Sequence, residues 1–184
     1  MNNNNNEIAT LANGCFWCSE AVFKRLKGIT SVLPGYAGGI VKNPSYDQVC
    51  TGKTGHAESI QIEFDPKDIS FEKILDIFWH THNPTTLNRQ GNDIGTQYRS
   101  SIFYHNQKQK EIAEKSKKEL ENEGSYKDPI VTEITPFRNF YVAEDYHKNY
   151  YESHQDAPYC NTVIDPKVNK LLLKYLNNVK EEYK

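Results

Sequence analysis

Residues 8–28 read IATLANGCFWCSEAVFKRLKG, and they decide the fold. Ile8 to Ala12 is a short apolar segment of strand character. Asn13-Gly14 turns it into a helix, CFWCSEAVFKRLK, that stops at Gly28. Glycine just past a helix suits a C′ position with positive φ. Outward from there, ITSVLPGYAGG is apolar and then glycine-rich, and a loop punctuated by Pro and Gly runs from Gly38 to Gly55. His56 to Phe64, HAESIQIEF, alternates with period two. His56, Glu58, Ile60, Ile62 and Phe64 share one face, and Ala57, Ser59, Gln61 and Glu63 the other. That predicts a strand with one buried face.

Ser70 caps a predicted helix whose Phe71, Ile74, Leu75 and Phe78 fall at i, i+3, i+4 and i+7. HNPTTLNRQGNDIGTQYR, ending at Arg99, reads as one long loop, and loops of that length are usually functional or disordered. Strands are predicted at Ser101–Tyr104 and Ile130–Ile134. Helices are predicted at Asn106–Glu123, Ala143–His154 and Lys167–Glu182. Strands and helices alternate without a long β-only stretch, so the expected class is α/β (α+β), a two-layer sandwich.

The 184 residues show no seam, and one domain over residues 7–184 is expected after a disordered Asn-rich tail at 1–6. Lys plus Arg is 22 and Asp plus Glu is 24, a formal charge of −2, which argues against nucleic acid as a partner. The longest strongly apolar run, Ile74 to Trp79, falls far short of the ~20 residues a bilayer span needs, so no membrane role is expected. The opening MNNNNNEIAT has neither a basic n-region nor an apolar h-region. Cytoplasm is the expected compartment, where a Cys pair is more often catalytic or metal-binding than structural.

The chemistry concentrates at Gly14-Cys15-Phe16-Trp17-Cys18. A helix N-terminus presents free N–H groups and partial positive charge, which favours a thiolate. Lowering a thiol pKa by two units takes ~2.7 kcal/mol, more than a helix end alone supplies, so neighbouring hydrogen bonds must contribute. Cys15, at the helix start, is the nucleophile candidate. Cys18 lies one turn on, within disulfide reach after adjustment. Three other readings stay open for this CxxC: a general thiol–disulfide oxidoreductase, a zinc or peptide-binding module, or two buried small hydrophobes. A second zinc knuckle is missing, and no metal is expected. Glu58 shares its strand face with core residues, so it is either salt-bridged at the sheet edge or desolvated into a neutral acid. Tyr46, Asp93 and Tyr98 sit in polar loops that suit an active-site rim.

Taken together, these segments resemble the peptide methionine sulfoxide reductase A family. The similarity runs from about Glu7 to Lys170. It is carried in order by GCFWC (14–18), GYAGG (35–39), YDQVCTGKTGHAE (46–58), FDP (64–66), NRQGNDIGTQYRS (88–100) and AEDYHKNYY (143–151). The resemblance implies a two-layer α/β sandwich with a mixed sheet, similar to the ferredoxin-like plait. It implies reduction of methionine S-sulfoxide, free or protein-bound, with no cofactor. Cys15 matches the nucleophile, Phe16 and Trp17 the walls around the substrate methyl group, and Glu58 the proton donor. Tyr46 and Tyr98 match hydroxyls on the sulfoxide oxygen, and Asp93 a residue that positions substrate. Loss of methionine leaves a Cys15 sulfenic acid. A resolving thiol and then thioredoxin or a similar reductant would recycle it. This chain departs from family members that read GCFWG and resolve from a Gly-rich tail. Cys18 lies inside the motif, and Cys160 stands alone near the C-terminus. Cys18 ranks ahead of Cys160 as first resolver, and Cys50 is read as structural.

Overall fold

A computed structural model of the protein describes residues 6–184. The tail expected over 1–6 lies outside the described residues except for Asn6, whose amide donates to Glu63 Oε1 at 2.8 Å. The elements follow in the order β1 (Glu7–Asn13), α1 (Phe16–Phe23), β2 (Ile29–Ala37), α2 (Tyr46–Cys50), β3 (Ala57–Phe64), α3 (Phe71–Thr81), β4 (Arg89–Gln90) and β5 (Asp93–Ile94). After these come β6 (Ser100–Tyr104), α4 (Gln107–Glu123), β7 (Glu133–Pro136), β8 (Phe140–Val142), α5 (Tyr150–Ser153) and α6 (Asp165–Tyr175). Six strands form one sheet in the order β7-β6-β1-β3-β2-β8, and β4 and β5 form a separate hairpin. Every pairing in the large sheet is antiparallel except β6 with β7, so the sheet is mixed.

The α/β expectation therefore holds. β3 is central, between β1 and β2, and the predicted face of Glu58, Ile60, Ile62 and Phe64 is buried along its length. Those apolar side chains join Leu11 and Ile102 of the sheet, Val22 and Phe23 of α1, and Ile74 and Phe78 of α3 in one core cluster. The opposite face is buried too at its start, where Ala57 packs with Ala12, Ala37 and Phe103 under Phe137 and Phe140. Ser70 caps α3 through Lys73 N–H as predicted, and Asn106 caps α4 through Gln109 N–H.

Several predicted boundaries move. α1 ends at Phe23 rather than Lys27, because Leu26 is drawn into a bridge with Val179 near the C-terminus. Gly28 still takes φ +80°. The same bridge ends the last helix at Tyr175 rather than Glu182. The strand expected at Ile130–Ile134 lies at Glu133–Pro136, where its register follows β6. The helix expected over Ala143–His154 reduces to a tight turn at Asp145–His147 and the single turn of α5. The loop after Gly38 contains α2, closed by a capping box between Ser45 and Gln48. The long loop ending at Arg99 folds into the β4–β5 hairpin and a short helical turn at Thr96–Tyr98.

Candidate active site

Four pieces of chain converge where β1 meets α1. Gly14 makes the turn at φ +96°, with its α-carbon so close to Gln90 that an added Cβ would stand 2.7 Å from the Gln90 Cβ. Cys15 is the N-cap of α1 and only 6% exposed. Asn13 and Ser19 tie the turn to the helix through a 2.5 Å bond from the Ser19 hydroxyl. Glu58 arrives from β3, 2% exposed, and its Oε2 accepts the Phe16 backbone N–H at 3.1 Å. The acid thus sits on the peptide next to the candidate nucleophile. α2 brings Tyr46, β5 brings Asp93, and the turn after it brings Tyr98.

A cavity of about 140 Å³ is lined by Cys15, Phe16, Trp17, Tyr46, Glu58, Asp93 and Tyr98 together. Every catalytic and substrate-binding candidate from the sequence faces this one space. Tyr159, which the sequence reading did not single out, closes it, and its hydroxyl donates to Asp93 Oδ2 at 2.8 Å. The Trp17 indole stacks on Tyr150 at 3.6 Å and nearly parallel, with the Tyr159 ring against it edge-on. Its Nε1–H donates to His147 Nδ1 at 3.1 Å. His147, Tyr150 and Tyr159 join the site from 130 or more residues beyond their partners in α1, and only the AEDYHKNYY similarity hinted at the first two.

Burial dominates the electrostatics. Desolvation pushes the Glu58 carboxyl up to about 8, against the pull of the Phe16 N–H and with help from the Asp93 charge. That direction favours the neutral form of the carboxyl. The hydroxyls of Tyr46 and Tyr98 are also raised by burial, so both remain donors. For Cys15 the helix-end expectation meets a stronger opposing effect. Burial holds its thiol well above the ordinary range, and it donates to Cys18. That hydrogen bond lowers Cys18 to about 7, against its own burial and with support from Lys167. The direction in the pair is for Cys18 to ionise before Cys15.

Cys160 is fully buried and shares an apolar cluster with Cys15, Cys18, Ala21, Ile164 and Val168. It opens a wide helical turn, Cys160–Ile164, that leads into α6. All four cysteines are free thiols. Cys50, read from sequence as structural, is exposed at the end of α2. Among the described residues no group of three or more His, Cys, Asp or Glu side chains is arranged to hold a metal ion. No helix among them is long and apolar enough to cross a membrane.

The family model "Peptide methionine sulfoxide reductase" matches residues 7–180. The chain belongs to the peptide methionine sulfoxide reductase family. Within that family, it is 56% identical over 169 residues to peptide methionine sulfoxide reductase MsrA of Sulfolobus acidocaldarius, covering 92% of this chain and 95% of that protein. Among solved structures, Mxr1 of Saccharomyces cerevisiae in reduced form superposes with a TM-score of 0.79 at 36% identity, covering 84% of this chain and 89% of that one. Mxr1 in complex with Trx2 superposes with a TM-score of 0.56 at 28% identity, covering 79% and 84%.

Proposed function

We propose that this reductase acts on the S-epimer of methionine sulfoxide, free or within a polypeptide, through Cys15 and Glu58. The observation that carries the reading is the buried Glu58 carboxyl on the peptide next to Cys15, in a small cavity lined by both together with Phe16 and Trp17. A sulfoxide is a polar S–O group on an apolar methyl thioether. Its methyl group belongs against the aromatic wall, where contact area is large. Its oxygen belongs among Glu58, Tyr46 and Tyr98, which present donors where negative charge develops.

The steps balance within the residues present. As Cys15 sulfur attacks the sulfoxide sulfur, its proton passes to the Cys18 thiolate. Glu58 delivers its proton to the sulfoxide oxygen, which could not leave the carbon-bearing sulfur as an oxide. The protonated oxygen passes to the Cys15 sulfur as its bond to the substrate sulfur and the Cys15–substrate sulfur bond break, so methionine departs and leaves a Cys15 sulfenic acid, a Cys18 thiol and a Glu58 carboxylate. The negative charge has moved from Cys18 to Glu58. Cys18 then condenses with the sulfenic acid, forming a disulfide and releasing water. Its contact with Cys15 supports Cys18 as first resolver, and Cys160 in the same cluster is the next partner for exchange. A thioredoxin-type dithiol would reopen the disulfide. The complex named for Mxr1 and Trx2 supports that partner.

The strand order β6-β1-β3-β2 supports reading the core as a ferredoxin-like plait, with α1 following β1 and α3 following β3. Residues 7–184 then form a single catalytic domain. Four free thiols fit a reducing compartment such as the cytoplasm. Separated sulfoxide epimers test the reading directly. Consumption of the S-epimer with the R-epimer inert is expected, and equal consumption of both would refute the stereochemical site.

A further inference from the structure

Trp17 is held by more than stacking. His147 is fully buried on the turn after β8, packed among the rings of Phe16, Tyr46 and Tyr146 at 4.9, 4.6 and 4.1 Å between centroids. Its Nδ1 accepts the Trp17 Nε1–H at 3.1 Å, so Nδ1 carries a lone pair. Its Nε2 is buried with no hydrogen-bond partner among the described residues, 3.8 Å from Glu144 Oε2. Glu144 is itself fixed, since Oε2 accepts the Tyr36 hydroxyl at 2.7 Å and Oε1 accepts the Tyr46 backbone N–H at 2.8 Å. An indole donor on one side and a carboxylate on the other leave one arrangement of the imidazole: lone pair toward Trp17, N–H toward Glu144.

We infer that His147 is a positioning residue for sulfoxide reduction: in its neutral Nε2–H tautomer it locks the Trp17 indole against the substrate methyl group. The inference rests on Trp17 being the methyl wall. A protonated imidazole would turn an N–H toward the indole N–H, donor against donor, and release the ring. The charged and titratable groups facing His147 are Glu144 on its own segment, Tyr46 from α2 and Tyr146 beside it, with Tyr36 of β2 behind Glu144. Glu144 favours the protonated ring, but burial outweighs it and keeps His147 neutral at pH 7. Binding should therefore weaken on the acid side only.

Two measurements test this. In the wild-type protein, nitrogen-15 spectra of the histidine rings should show His147 with an unprotonated Nδ1 and a protonated Nε2, and the Trp17 indole proton shifted as hydrogen-bonded. The opposite tautomer overturns the inference without any variant. In single turnover, His147→Phe keeps ring volume but loses the acceptor. The half-saturating sulfoxide concentration should rise about 3–10-fold, the worth of one buried hydrogen bond, with little change in the limiting rate. His147→Asn places an acceptor oxygen where Nδ1 stood, so it should recover most of the affinity and lose the acid-side weakening. Trp17→Ala separates the two readings. If it leaves the half-saturating concentration unchanged, the methyl wall falls and this inference falls with it. If it raises that value while His147→Phe does not, the inference alone is wrong.

Discussion

Replacing Glu58 by Gln should move activity and stability in opposite directions. The carboxyl rises from 4.5 to about 8 on folding, with burial the chief cause. One unit corresponds to ~1.36 kcal/mol, so the full shift is worth about 5 kcal/mol between the two protonation states. Its sign follows from proton binding. The folded protein holds this proton more tightly than the unfolded chain does, so the site's contribution is complete below about pH 4.5. It is lost progressively as pH rises through about 8. Glutamine keeps the oxygen that accepts the Phe16 N–H but never ionises. Denaturant unfolding should therefore find Glu58→Gln near parity at about pH 5 and more stable than wild type by several kcal/mol at about pH 9. Methionine formation in a single turnover with excess enzyme should fall by about 10²–10⁴-fold at pH 7, the usual worth of a positioned acid. The wild-type rate should also decline on the basic side near pH 8, and the variant should lack that limb. A rate loss under threefold, or a stability difference that does not grow with pH, would refute a buried, protonated Glu58.

Cys15→Ser should abolish sulfoxide reduction, measured as methionine released. Cys18→Ser should keep a burst of one methionine per enzyme but slow it at pH 7, because Cys18 takes the Cys15 proton during the attack as well as resolving the sulfenic acid afterwards. Its burst rate should climb to higher pH than in wild type, because the partner that lowers the pair's first ionisation to about 7 is gone. An unchanged burst rate at pH 7 would remove Cys18 from the attack and leave it only the resolving step. Gly14→Ala should destabilise by about 1–3 kcal/mol in urea unfolding, since alanine is strained at positive φ and its Cβ collides with Gln90.

The legible parts of this chain were those whose pattern is local. β3 declares itself because alternate residues meet the core, and α3 because Phe71, Ile74, Leu75 and Phe78 form one stripe. The Gly14–Cys18 turn was legible for the same reason. β8 was not, because three half-exposed residues carry no period and exist as a strand only through pairing with Gly35–Ala37. The last helix was overextended because the event that ends it, Val179 meeting Leu26, lies far away in sequence. The α2 capping box is carried by Ser45 and Gln48 alone, inside a stretch with no apolar period to mark a helix. In the site, the expected candidates line one cavity, but the environment of Cys15 is not local. Helix position favours a Cys15 thiolate, whereas the burial that outweighs it appears only once Tyr159 and Cys160 fold over the turn.

The closed setting of Cys15 has a consequence for survival under oxidative attack. Peroxide consumes thiolates that solvent can reach. A sulfur that is 6% exposed and whose ionisation burial opposes is poorly offered to it. The enzyme thus meets the conditions that create its substrate with its reactive atom sheathed.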